Sequence, residues 1–141
     1  MGGPIGRMLI RRYNFFVKSF MRQAFADPAT LTPAIHAHYL KPLATPADRQ
    51  GCLVFPRQII NATAWLEKIW SSIEVLRDKP TLIVWGMKDI AFREKELRRG
   101  QQAFSRADLV QLAGAGHYVP EEAPGELAEA AAVFFAGKGA I

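Results

Sequence analysis

The sequence predicts an α/β chain in which a helical segment, residues 1–77, precedes a strand–helix–strand–helix unit, residues 78–141, built on a parallel pair of strands. Three observations carry this reading. Before Asp78 the apolar residues recur at helical spacing or are interrupted by proline. After Pro80 two short apolar runs are each closed by glycine, as strands are. Between and after those runs the helical spacing returns, so the two strands are joined by a helix, which makes a right-handed crossover and a parallel pair.

Taken in order, Ile5 to Ala26 places Leu9, Tyr13, Phe16, Val17, Phe20 and Ala24 at helical spacing, with Arg7, Arg11, Lys18 and Arg22 on another face. One basic amphipathic helix is expected, stopped by Asp27-Pro28. Thr32-Pro33 opens a second helix to about Leu40, because threonine caps and proline suits the first turn. Leu43 to Pro56, punctuated by Pro46, Gly51 and Pro56, predicts irregular chain apart from a turn at Thr45-Pro46. Arg57 to Leu76 returns to helix, with Ile59, Ala62, Leu66, Ile69 and Ile73 roughly on one face. Thr81 to Trp85, closed by Gly86, has the continuous apolar character of a buried parallel strand. The crossover helix runs from about Arg93 to Phe104, and Asp108 to Leu112 is the second strand, ended by Ala113-Gly114-Ala115-Gly116. The last helix opens near Pro124 with Leu127, Ala131, Phe134 and Phe135 on one side, and Gly137 stops it.

Two strands are too few for a parallel sheet, which needs cover on both faces and neighbours at its edges. The chain therefore reads as incomplete, with an apolar strand edge that a complete domain would cover and that favours pairing with a partner or a second copy.

Half of the 141 residues are apolar, enough for a real core. The net charge of +5 would suit nucleic acid, but its excess lies in Arg7, Arg11, Arg12, Lys18 and Arg22 and in Arg93 to Arg99, where Glu94 and Glu96 intervene. Neither is a nucleic-acid motif, so none is expected as a partner. The basic helix leaves association with a membrane surface as an alternative. No apolar run is long enough to span a bilayer, and charges interrupt the first segment where a secretion signal would be apolar. Cys52 stands alone, and no Cys and His have zinc-ligand spacing, so neither a disulfide nor a metal or other cofactor is expected, in a cytoplasmic setting.

The chemistry-bearing residues are few. Asp89 follows the first strand and Gly86, and His117 follows the second strand and its glycines, so both fall at the carboxyl ends of adjacent strands, where open α/β sheets build their sites. A carboxylate there can accept one imidazole N–H, fix the tautomer and leave the other nitrogen as a base. His36 and His38, two apart on a helix, point in different directions and read as surface or lining residues. Cys52 reads as a small buried thiol. Ser19, Ser71, Ser72 and Ser105 lie in predicted helices, and none sits in a G-x-S-x-G elbow.

The segments Pro80-Thr-Leu-Ile-Val-Trp-Gly-Met-Lys-Asp89-Ile-Ala-Phe92 and Ala113-Gly-Ala-Gly-His-Tyr-Val-Pro-Glu-Glu-Ala-Pro124 resemble the final two strands of an α/β-hydrolase, the haloalkane dehalogenase branch in particular. Ile5 to Val17 and Pro46 to Arg57 are similar to that branch's helical cap. The resemblance implies a C-terminal portion of the fold, with Asp89 as triad acid and His117 as base. It implies hydrolysis of a small molecule through an ester intermediate, on a nucleophile, Asp or Ser, that lies ahead of the cap and outside this sequence. The chain alone is then expected to be inactive. Dehalogenase, esterase and epoxide hydrolase chemistry stay open, as does a non-enzymatic fragment. Phe16, Phe20, Phe92 and Tyr118 are the candidates for lining a substrate pocket.

Overall fold

Asn14 breaks what the spacing predicts as one helix from Ile5 to Ala26. The computed structural model, which describes residues 3–137, has α1 at Pro4–Tyr13, a π-helical turn at Phe16–Phe20 and α2 at Met21–Ala24. Asn14 ends α1 in the left-handed region, φ 51° and ψ 39°, a conformation that asparagine tolerates better than most residues. Its buried side chain donates from Nδ2 to the Leu43 carbonyl at 3.2 Å. Asn14→Ala forfeits both features, and chemical denaturation should show a loss of about 2 kcal/mol.

Helix α3 spans Pro33–Leu40, its first turn capped by Thr32 Oγ1, which accepts from the Ile35 N–H, and it runs into a 3-10 turn at Lys41–Leu43. The expectation of irregular chain up to Pro56 is wrong from Gln50 onward, because α4 spans Gln50–Asn61 with Pro56 inside it. Proline removes one N–H donor, and packing of α4 against α1 outweighs that local defect. The single helix expected from Arg57 to Leu76 is likewise divided, into the end of α4, α5 at Thr63–Ser71 and a 3-10 turn at Ile73–Leu76.

Two compact units result, one comprising residues up to Gln23 with Leu31–Ser71, the other Ala24–Thr30 with the chain from Ser72 onward. In the first, Ile10, Val17, Met21 and Leu31 are buried. Three polar side chains are buried with them, each with partners. Arg49 donates to the carbonyls of Arg11 (2.5 Å), Leu43 (2.8 Å) and Ala44 (2.6 Å). His36, expected at the surface or lining a pocket, is instead buried, with Nε2 bonded to the Val17 carbonyl at 3.0 Å and Nδ1 3.4 Å from Arg22. His38 is exposed and Cys52 half-buried. The apolar face of α4 and α5 is open, with Ile59 50%, Trp65 62%, Leu66 43% and Ile69 47% exposed.

The second unit holds β1 at Leu82–Gly86 and β2 at Asp108–Leu112, parallel, with Leu82 opposite Asp108 and Gly86 opposite Leu112. Helix α6, Glu94–Ala103, joins them and buries Leu97 and Ala103; Glu96 accepts from the Arg93 N–H at 2.9 Å to close its first turn. A four-residue helix that the sequence reading passed over, α7 at Val119–Glu122, precedes α8 at Pro124–Gly137. Phe134 and Phe135 do not share a side of α8: Phe134 is half-buried and Phe135 is 62% exposed, since adjacent helical residues diverge. Leu82 to Trp85 are half-buried rather than buried, so the apolar run that suits a doubly covered strand is only partly covered here. Among the described residues no helix is long and apolar enough to cross a membrane.

Candidate active site

The loops leaving the two strands converge because glycine allows it. Gly86 ends β1 against the Ala115 and Gly116 carbonyls, so closely that a Cβ on Gly86 would overlap them. Two backbone bonds then tie the loops together, from the Met87 N–H to the Leu112 carbonyl (3.0 Å) and from the Lys88 N–H to the Ala115 carbonyl (2.9 Å). On one side of this junction stands Asp89 and on the other His117.

Asp89 and His117 meet side chain to side chain, with Nδ1 of the imidazole 2.9 Å from Oδ2 of the carboxylate. A carboxylate that only accepts favours the tautomer with the proton on Nδ1, in which the neutral ring keeps its Nε2 lone pair. The other oxygen, Oδ1, accepts from the Ala91 N–H (2.7 Å) and the Phe92 N–H (3.0 Å). Three donors therefore hold the carboxylate, whose side chain is 10% exposed against 31% for the imidazole. An arrangement of this kind can take a proton at Nε2 and stabilise the resulting imidazolium.

Aromatic rings flank the imidazole. Phe92 lies with its ring centroid 5.5 Å from that of His117, and Tyr118 meets the imidazole edge-on at 5.3 Å, while Phe25 stacks on Tyr118 at 4.8 Å. The structure thus brings Phe92 and Tyr118 to His117. Phe16 and Phe20 stack on one another at 5.3 Å in the other compact unit. Burial raises the Tyr118 hydroxyl above the ordinary tyrosine value of 10.0. A folded value above the unfolded one means that this contribution to stability is complete below the unfolded value and is lost as pH rises through the folded one. Stability should therefore fall as pH climbs above about 10, and Tyr118→Phe should flatten that fall in a series of unfolding curves.

A cavity of about 410 Å³ beside Asp89 is lined by Trp85, Ile90, Phe92 and Arg93 among others. A larger one of about 600 Å³ lies against Leu82, Val110, Leu112, Ala130 and Phe134, and neither Asp89 nor His117 lines it. Position at the strand ends, not cavity size, marks the candidate site. Cys52 lies inside α4, Ser71 ends α5 and Ser72 precedes the 3-10 turn at Ile73–Leu76, all away from strand ends.

Glu122 is the residue of this region that the sequence reading missed. Its Oε1 accepts from the Ala26 N–H (2.5 Å) and the Asp27 N–H (3.4 Å), and its Oε2 from the Gly116 N–H (2.9 Å). No local pattern announces those partners, two of which lie some ninety residues earlier.

The fold agrees with what known proteins show. The alpha/beta hydrolase fold family matches residues 38–124, and the chain belongs to that family. Within it the chain is similar to haloalkane dehalogenases. Haloalkane dehalogenase 2 of Mycobacterium tuberculosis is 35% identical over 132 residues, covering 92% of this chain and 46% of that relative. Cis-3-alkyl-4-alkyloxetan-2-one decarboxylase of Shewanella oneidensis is 26% identical over 128 residues, covering 87% of this chain and 40% of that relative. A crystal structure of a haloalkane dehalogenase loop variant from Bradyrhizobium elkanii superposes with a TM-score of 0.82 at 22% identity, covering 96% of this chain and 46% of that one, a likeness of fold. The chain thus spans about half the length of the relatives it matches, and corresponds to the C-terminal portion of their fold.

Proposed function

We propose that this chain supplies the acid–base half of a hydrolase site, with His117 as general base and Asp89 as the acid that holds it, in a haloalkane dehalogenase-like hydrolysis. The observation that carries the reading is the 2.9 Å contact between His117 Nδ1 and an otherwise well-held Asp89, at adjacent strand ends. In the reaction a carboxylate nucleophile attacks the carbon bearing the halogen, the carbon–halogen bond breaks and halide leaves with its electron pair. His117 Nε2 then takes a proton from water as that water attacks the ester carbonyl, which frees the alcohol and regenerates the carboxylate. Phe92 and Tyr118, whose rings flank His117, serve as apolar lining for a small-molecule substrate. We place the nucleophile on polypeptide outside this sequence and the protein in the cytoplasm, in keeping with its lone Cys52.

The test is halide release from a short 1-chloroalkane. The chain alone is expected to give none, and addition of a segment carrying the nucleophile strand of the fold is expected to give turnover that depends on His117. Turnover by the chain alone, or turnover indifferent to His117, overturns the assignment. The open apolar face of α4 and α5 favours a second reading, a protein completed by another polypeptide without catalysis. Size-exclusion chromatography together with the halide assay separates the two, because a stable assembly with no turnover supports only the second.

A further inference from the structure

We propose that Glu122 is a positioning residue for the base, holding the His117 loop so that the imidazole meets Asp89; the inference rests on the reading of those two residues as base and acid. His117 is fixed at its own backbone by donation from its N–H to the Ala24 carbonyl at 3.0 Å. Immediately before it, Gly116 lies so close to Ala24–Ala26 that a Cβ would come within 2.7 Å of the Ala24 oxygen and 2.7 Å of the Ala26 nitrogen. The backbone N–H groups of Gly116 and Ala26, brought this close, both donate to one side chain. The Glu122 carboxylate accepts from both, one oxygen to each, with Asp27 as a further donor to Oε1. A charged acceptor shared by three N–H groups makes stronger bonds than a neutral one would. It sits five residues after His117 and spans the loop that carries it.

This predicts a specific sensitivity. Glutamine is nearly isosteric but has one acceptor oxygen, so its NH2 must oppose either the Gly116 or the Ala26 N–H, donor against donor. In the full chain, the hydrogen-bonded Nδ1 proton of His117 should give a low-field resonance that Asp89→Asn abolishes. Glu122→Gln should lose that resonance, or raise its exchange with water about tenfold, the change that one net hydrogen bond is worth. The amide spectrum of the first compact unit should be unaltered. A merely structural role would lower the melting temperature and leave the ring proton as in the parent chain, and that result overturns the proposal. If Glu122→Gln does not fold, amide exchange in the parent chain decides: protection of both Gly116 and Ala26 supports the clamp, and exchange at the rate of unstructured peptide removes it. Absence of any Asp89-dependent ring proton in the parent chain instead overturns the acid–base pair, and the positioning role with it.

Discussion

Replacing His117 with phenylalanine is expected to stop the proposed reaction halfway, with the substrate's alkyl group left on the nucleophile. The nucleophilic step needs no proton transfer from His117, since a carboxylate attacks as it stands. The second step does, because water is a poor nucleophile until a base takes its proton. In a preparation containing the nucleophile-bearing segment, turnover of a chloroalkane should fall about a thousandfold, within the range that general acid–base catalysis contributes. Halide should still appear, one equivalent per site, and the intact mass of the nucleophile segment should rise by the alkyl group. Asp89→Asn should lower turnover to a similar extent by a different route, since an amide in place of Oδ2 can present an N–H to Nδ1 and turn the ring to the wrong tautomer. Multiple turnover by the phenylalanine variant, with no adduct, would assign the base to another residue.

Adding one methyl group at Gly86 is expected to destabilise the second compact unit strongly. The new Cβ would overlap the Gly116 carbonyl and lie 2.8 Å from the Ala115 carbonyl, and both are backbone atoms that no rotamer change can move. Relief requires the β1 and β2 loops to part, which breaks the bonds from Met87 to Leu112 and from Lys88 to Ala115. Two lost backbone bonds plus the strain amount to about 3 kcal/mol or more, a large fraction of a typical domain's stability. The same chemical change at Gly100, inside α6, should act in the opposite direction. There the nearest atom is Ile83 Cδ1 at 3.8 Å, an ordinary contact, and alanine is the better helix former by about 0.5–1 kcal/mol. Urea melts of the two variants, one shifted down and the other up, test whether close approach rather than glycine content governs this region.

What the sequence makes legible is what short-range patterns decide. The strands at Leu82–Gly86 and Asp108–Leu112 fall within one residue of the runs that announce them, because an apolar β-branched run closed by glycine admits little else. Their shared direction follows from the helix between them, and parallel pairing in turn puts Asp89 and His117 side by side. Three features escape such reading for separate reasons. Asn14 carries a signal, an asparagine amid a helical run, that periodicity alone overrides. Pro56 carries the opposite signal, since its local cost is outweighed by packing of α4 on α1. Glu122 carries none, because its meaning lies in N–H groups 95 and 96 residues away.

That separation also has a dimension in time. Ala26 leaves the ribosome 96 residues ahead of the carboxylate it will meet. At translation rates of about 5–20 residues per second, the segment Ala24–Thr30 waits roughly 5–20 seconds before its acceptor exists. During that interval the chain on either side, α2 before it and α3 after it, has already been synthesised, so the segment is tethered at both ends. Docking of that segment onto Glu122 then waits on synthesis long after its own.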